Sequence, residues 1–136
     1  MNRKEFQALA EKRLEDANVL FRNRRFDGAY YLAGYVVECA LKACIAKKTK
    51  KHEFPPKRDF VSKVYTHSLN SLLEAAALPK LSEELRNNKP LEAKWGVVKD
   101  WNEESRYKLY GRKKAKGLLD AVSTPVGVLA CLRKYW

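Results

Sequence analysis

Two charges, Glu38 and Lys42, stand four positions apart in a stretch from Ala29 to Ile45 that is otherwise apolar or small. At helical spacing they share a face and can bond each other. A carboxylate in such surroundings needs a cationic partner. In the plainer reading they form a structural ion pair that fixes helix packing or a dimer seam. In the chemical reading Glu38 lies in a cleft and accepts a hydrogen bond from Arg106 or from a ligand. Arg106 is followed by Tyr107 and by a basic run, Lys108, Arg112, Lys113, Lys114 and Lys116. A guanidinium beside aromatic rings grips a phosphate through two parallel hydrogen bonds and stacks on a base, which an ammonium does less well. Against this, Arg106 could bond Glu38 or helix-terminal carbonyls while Tyr107 packs, and the lysines could be a solvated helix face. His67, between Thr66 and Ser68, is either a helix-start residue whose ring bonds a neighbour or a general acid-base group. His52 reads as loop surface. With no cysteine close to either histidine, no metal site and no cofactor are expected. The chain has no Gly-x-Ser-x-Gly, P-loop or His-Glu-x-x-His motif, so the chemistry of familiar hydrolases and kinases is absent.

The elements that must position these groups are helical. Phe6, Leu9, Ala10, Leu14, Ala17, Leu20 and Phe21 recur at spacings of three and four, predicting an amphipathic helix over residues 2–22. After a turn, Asp27 is placed to cap a second helix over residues 28–48. That helix is apolar on nearly every side, so it must be enclosed or line a subunit interface. Residues 49–65 carry Lys50, Lys51, Lys57, Arg58 and Lys63 around Pro55 and Pro56 and read as a mobile basic loop with one helical turn after Pro56. Thr66 or Ser68 caps a helix with Leu69, Leu72, Leu73 and Ala76, which Pro79 stops. A short turn follows at residues 81–85. A helix from Pro90 then puts Leu91, Trp95, Val98 and Trp101 on one stripe. Residues 102–111 read as a polar connection, and residues 112–136 as a last helix kinked at Pro125. No strand alternation or Gly-rich turn suggests a sheet. The expected architecture is one all-α domain over residues 1–136, an up-and-down bundle of four long helices plus one or two short ones.

The composition sets further bounds. The chain has 136 residues, 46% of them apolar, and 28 Lys+Arg against 16 Asp+Glu, for a formal charge of +12. That suits a single soluble core. The surplus creates a positive field that draws phosphates, acidic proteins or anionic surfaces without specifying a fold. The stretch around Glu38 and Lys42 is shorter than a membrane-spanning helix requires, and the N-terminus lacks an apolar leader pattern; the expected address is the cytoplasm, with no membrane partner. Cys39, Cys44 and Cys131 sit in apolar helical stretches and are expected to be buried small hydrophobes.

Together, Leu14-Glu-Asp-Ala17, the run Phe26-Asp-Gly-Ala-Tyr-Tyr-Leu-Ala-Gly-Tyr-Val-Val-Glu38-Cys-Ala-Leu-Lys42, Thr66-His67-Ser-Leu69 with Leu72, and Trp101 through Arg106-Tyr107 before a long last helix resemble the HEPN domain family. The resemblance implies a helical bundle that commonly dimerises and is often encoded beside a nucleotidyltransferase partner in toxin-antitoxin or phage-defence settings. Many members are metal-independent ribonucleases that use an Arg, four to six intervening residues and a His. This chain departs from that pattern: Arg106 is followed by Tyr107, Lys108, Leu109, Tyr110, Gly111, Arg112 and Lys113, with no His. The Arg106-Tyr107 form is similar to the branch treated as nucleotide-binding or partner-binding modules.

The reading favoured by the sequence is a non-catalytic, homodimeric module. It binds nucleotide, RNA or a nucleotidyltransferase through a basic cleft around Arg106, with Tyr107, Lys108, Arg112, Lys113 and Lys114. The alternatives are a divergent ribonuclease using Arg106 with Glu38 and His67, and a purely structural interaction subunit.

Overall fold

The computed structural model describes residues 1–48 and 58–136. In order the elements are α1 (Arg3–Arg22), α2 (Phe26–Lys48), α3 (Arg58–Val64), α4 (Leu69–Ala76), α5 (Pro79–Asn87), α6 (Lys89–Val98), a 3₁₀ turn (Glu103–Tyr107), α7 (Arg112–Ser123) and α8 (Val128–Arg133). No strand occurs among the described residues, and the chain is an all-α bundle as its periodicity predicts.

Reciprocal capping starts α1. The Asn2 side chain accepts from the Glu5 amide at 3.0 Å, and the Glu5 carboxylate accepts from the Asn2 amide at 2.6 Å, which satisfies amides that a helix start leaves without partners. The chain reverses through Arg24, whose φ is 61°, while the Arg25 amide donates to Leu20. This turn is tighter than the sequence suggests, so α2 begins at Phe26 and Asp27 lies in its first turn rather than at its cap. Its carboxylate there still meets the positive end of the helix.

The long helix α2 is the axle of the fold. It packs along α1 and also meets α4, α7, α8 and the 3₁₀ turn. Val36, Val37, Leu41, Cys44 and Ile45 are buried against Leu69, Leu72, Leu118, Leu129 and Leu132 in one core. Burying each such side chain favours the folded state by about 1.5–3 kcal/mol. All three cysteines are buried, and burial raises the thiols of Cys39, Cys44 and Cys131 to about 12, 11 and 12. Near neutral pH they are protonated apolar fillers rather than nucleophiles.

The later elements depart from their expected outlines. Of the basic tract, residues 49–57, with Lys50, Lys51, His52 and Lys57, lie outside the described residues; from Arg58 the chain forms α3. Ser68, not Thr66, caps α4, accepting from the Ser71 amide at 3.3 Å. Ala77 then ends that helix in the left-handed region at φ 44°, and Pro79 opens α5 instead of merely stopping α4. Proline suits a first helical turn, where its missing N–H costs nothing. The expected single last helix is two: residues 124–127 break it at Pro125, and α8 restarts after Gly127. A Cβ at Gly127 would stand 2.8 Å from the Ala121 and Val122 carbonyl oxygens, too close for any side chain, so only glycine fits this turn before Val128, Leu129 and Leu132 enter the core.

Candidate functional site

One face of α2 carries Tyr30, Gly34, Glu38 and Lys42 at four-residue intervals, so the four align along the helix. Trp101 covers Gly34: a Cβ there would stand 2.2 Å from the indole. Only glycine lets the ring lie against the α2 backbone. Tyr31 stacks on Trp101 with centroids 6.0 Å apart and on Tyr35 at 6.3 Å. The Trp101 Nε1 is buried without a hydrogen-bond partner among the described residues.

One turn further along, Glu38 is 1% exposed. Lys42 Nζ donates to its Oε1 at 2.9 Å, and His67 Nδ1 lies 3.0 Å from both carboxylate oxygens. An ionised carboxylate only accepts, so Nδ1 carries the hydrogen and Nε2 is the ring's remaining polar atom. The His67 side chain is 51% exposed, against 21% for Lys42. His67 is held there by the turn before α4, in which the Ser68 amide donates to Thr66 Oγ1 at 3.1 Å. A buried carboxylate that orients a half-exposed imidazole has the form of an acid-base pair, and it also ties the start of α4 to the centre of α2.

The pairing of Glu38 with Arg106 expected from the sequence does not occur. Arg106 is exposed in the 3₁₀ turn, with its guanidinium 4.9 Å from the centre of the Tyr107 ring. No hydrogen bond or ion pair joins it to Glu38, whose partners are Lys42 and His67. Lys42 sits on the same helix one turn away, and capping of α4 holds His67 beside it, so the carboxylate is satisfied without crossing to the 3₁₀ turn.

The basic residues form a second locality. Arg106, Tyr107, Lys108, Arg112, Lys113 and Lys114 are all exposed. Asn102 starts the 3₁₀ turn, its side chain accepting from the Glu104 amide at 2.9 Å, and Ser105 Oγ donates to the Asn102 carbonyl at 2.6 Å. Beyond it Tyr110 stacks on Tyr30, with centroids 4.0 Å apart, and Gly111 starts α7 with no side-chain cap. Arg112 rests its guanidinium over Phe21 at 5.7 Å. Lys113 and Lys114 share a cleft of about 450 Å³ with Tyr30, Val97 and Asp100. Desolvation, helped by Tyr110 and Asp100, raises the Tyr30 phenol to about 12, so it remains a hydrogen-bond donor near neutral pH. Sequence reasoning missed Tyr30, Tyr110 and Asp100. The only signal was an aromatic four positions before a helix glycine, which by itself reads as packing.

The structure thus assembles an acid-base pair on α2 and α4, and separately an exposed basic face on the 3₁₀ turn and the start of α7 whose cations form no ion pair among the described residues. No curated protein and no solved structure matches the chain. The HEPN domain model matches residues 5–124, a span running from α1 through α7 that holds every site residue named above, and the chain therefore belongs to the HEPN domain family.

Proposed function

We propose that this chain is a module that binds RNA or nucleotide through the 3₁₀ turn and the first turn of α7, with Arg106 at the centre, and does not cleave what it binds. One observation carries the reading. Arg106, Lys108, Arg112, Lys113 and Lys114 are exposed and have no carboxylate partner among the described residues, whereas Lys42, Lys116, Arg133 and Lys134 are each neutralised by one. Five cations gathered with only Glu103 and Glu104 in the same turn to offset them repel one another, and bound phosphate relieves that repulsion while releasing counterions. Arg106 supplies the planar fork suited to phosphate, and Tyr107 a ring on which a base can stack. Family membership supports a nucleotide-related role. The family resemblance extends the reading to a cytoplasmic homodimer with a nucleotidyltransferase partner in a toxin-antitoxin or phage-defence setting.

The test is equilibrium binding of a short single-stranded RNA. Arg106→Ala is expected to weaken it by about 1–3 kcal/mol, since a bidentate contact is lost and no core volume is removed. The circular dichroism spectrum should stay unchanged, and the RNA intact. Unaltered affinity in Arg106→Ala would remove Arg106 from the contact face.

The Glu38–His67 contact favours a second reading, metal-independent RNA cleavage. An imidazole oriented by a buried carboxylate can take the 2′-hydroxyl proton while solvent protonates the departing 5′-oxygen; Arg106 lies in the other locality and forms no bond with this pair. Degradation of RNA without metal, lost in His67→Ala, would establish this reading in place of the first.

A further inference from the structure

The cleft beneath the cationic face is better furnished than backbone binding requires. We propose that it receives a phosphate monoester, the terminal phosphate of a nucleotide or of an RNA strand; this deepens the nucleic-acid reading of the same face and rests on it. Tyr30 lines the cleft and is only 4% exposed, and its hydroxyl makes no hydrogen bond among the described residues. The ring is buried but the hydroxyl is not sealed off, so a group bound in the cleft can accept from it in place of water. Asp100 lines the same cleft, and its charge reaches the phenol. Lys113 and Lys114 stand on the wall without carboxylate partners among the described residues. The first amides of α7 emerge beside them at Gly111 with no side-chain cap, and a helix start so arranged favours an anion. A Cβ built at Gly111 or Gly117 would meet nothing within 4 Å, so ligand atoms can approach the backbone at both positions.

The donor count decides between phosphate types. An internal phosphodiester carries one charge and two non-bridging oxygens. A monoester carries roughly −1.5 to −2 at neutral pH and presents three strong acceptors. Two ammonium groups balance the charge of the monoester, where a diester would neutralise only one, and a phenol donor and helix amides add partners for its third oxygen. Asp100, on the same wall, repels further phosphate and can accept from a sugar hydroxyl or a base amine. Val97, 45% exposed, offers an apolar edge to a base. At about 450 Å³ the cleft lies within the range of roughly 300–1,000 Å³ typical of small-molecule sites.

The experiment compares AMP with adenosine, and one short single-stranded RNA carrying a phosphate at its 5′ end, at its 3′ end, or at neither. We expect at least one phosphorylated strand to bind roughly tenfold more tightly than the hydroxyl form, the effect of one or two charge-assisted hydrogen bonds. Tyr30→Phe removes a hydroxyl that has no partner among the described residues, so the fold should be unaffected while most of that preference disappears; binding of the hydroxyl strand should not change. Lys113→Gln with Lys114→Gln, both at exposed positions, should abolish the preference as well. AMP binding in preference to adenosine, reduced by Tyr30→Phe, identifies a free nucleotide as a ligand; preference confined to one RNA form identifies a strand end. Equal binding of all three RNA forms, with no preference for AMP over adenosine, overturns the monoester site and leaves the RNA reading standing. If no RNA binds at low salt but AMP does so in a Tyr30-dependent way, the RNA reading fails and the monoester site holds. No binding of any probe overturns both.

Discussion

Glu38 shows how one side chain can serve both architecture and chemistry. Its carboxylate is nearly inaccessible and is bonded by Lys42 and His67, so removing it strands a partly buried ammonium and frees the turn before α4. Glu38→Ala is expected to destabilise the fold by about 2 kcal/mol, below the 3–5 kcal/mol of a fully buried pair because both partners reach solvent. Urea unfolding of the variant beside wild type measures this directly, and a loss under 0.5 kcal/mol would show that water replaces the carboxylate. The oddity of Glu38 was legible in the sequence, because a lone acid in an apolar helix needs a partner. Which partner was not legible. His67 lies 29 positions away, and only the way α4 seats on α2 brings it there, whereas Arg106 had the more suitable chemistry and the wrong place. The Trp101 packing against Gly34 was hidden for the same reason, since a glycine in a helix looks like a weakness until the ring that fills its space is known.

At the scale of elements, periodicity located α1, α2, α4 and α6 closely, since each buries a stripe that repeats with the helical turn. Where backbone geometry rather than burial sets the boundary, the sequence was less legible. Ala77 ends α4 at φ 44° and ψ 55°, a conformation that costs residues with a Cβ roughly 1–2 kcal/mol and glycine almost nothing. Ala77→Gly is therefore expected to stabilise the protein by about 0.5–1 kcal/mol after glycine's larger unfolded-state entropy is counted, read as a higher urea midpoint at unchanged slope. The end of the chain was misjudged for a related reason, because Pro125 marks a break that periodic Leu129 and Leu132 conceal. Beyond the core contacts of α8, Glu84 of α5 ties down the residues that follow it, accepting from Lys134 Nζ at 2.8 Å and from the Tyr135 hydroxyl at 2.5 Å. The hydrogen bonds of Lys134 and then Tyr135 hold the Glu84 carboxyl below the usual carboxylate range. A carboxyl depressed in the folded state contributes stability above its unfolded pKa and loses it as pH falls through the folded value. Glu84→Gln should accordingly be less stable than wild type at neutral pH, with the gap closing in the acid limb of a pH series of thermal melts. A gap independent of pH would show that Glu84 acts by packing alone.

In the molecule as a whole, the apolar girth of α2, from which a homodimer was expected, is enclosed by the chain's own α1, α4, α7, α8 and 3₁₀ turn; its apolar content therefore requires no second copy, and the homodimer rests on the family resemblance. The surplus behind the charge of +12 includes the exposed cations of the 3₁₀ turn and first turn of α7, which form no ion pair among the described residues, while ion pairs occur further along α7 and on α8 and α5. That distribution is the centre of the functional account, and the salt dependence of RNA binding tests it most directly. Affinity should fall linearly on a logarithmic plot against salt, with a slope magnitude of roughly 0.7 for each phosphate contacted on a single strand. Lys113→Ala with Lys114→Ala should reduce that magnitude by roughly 1.4, the share of two phosphates, while the melting temperature stays the same. An unchanged slope in the double variant, or affinity insensitive to salt in wild type, would contradict the assignment of this face to phosphate.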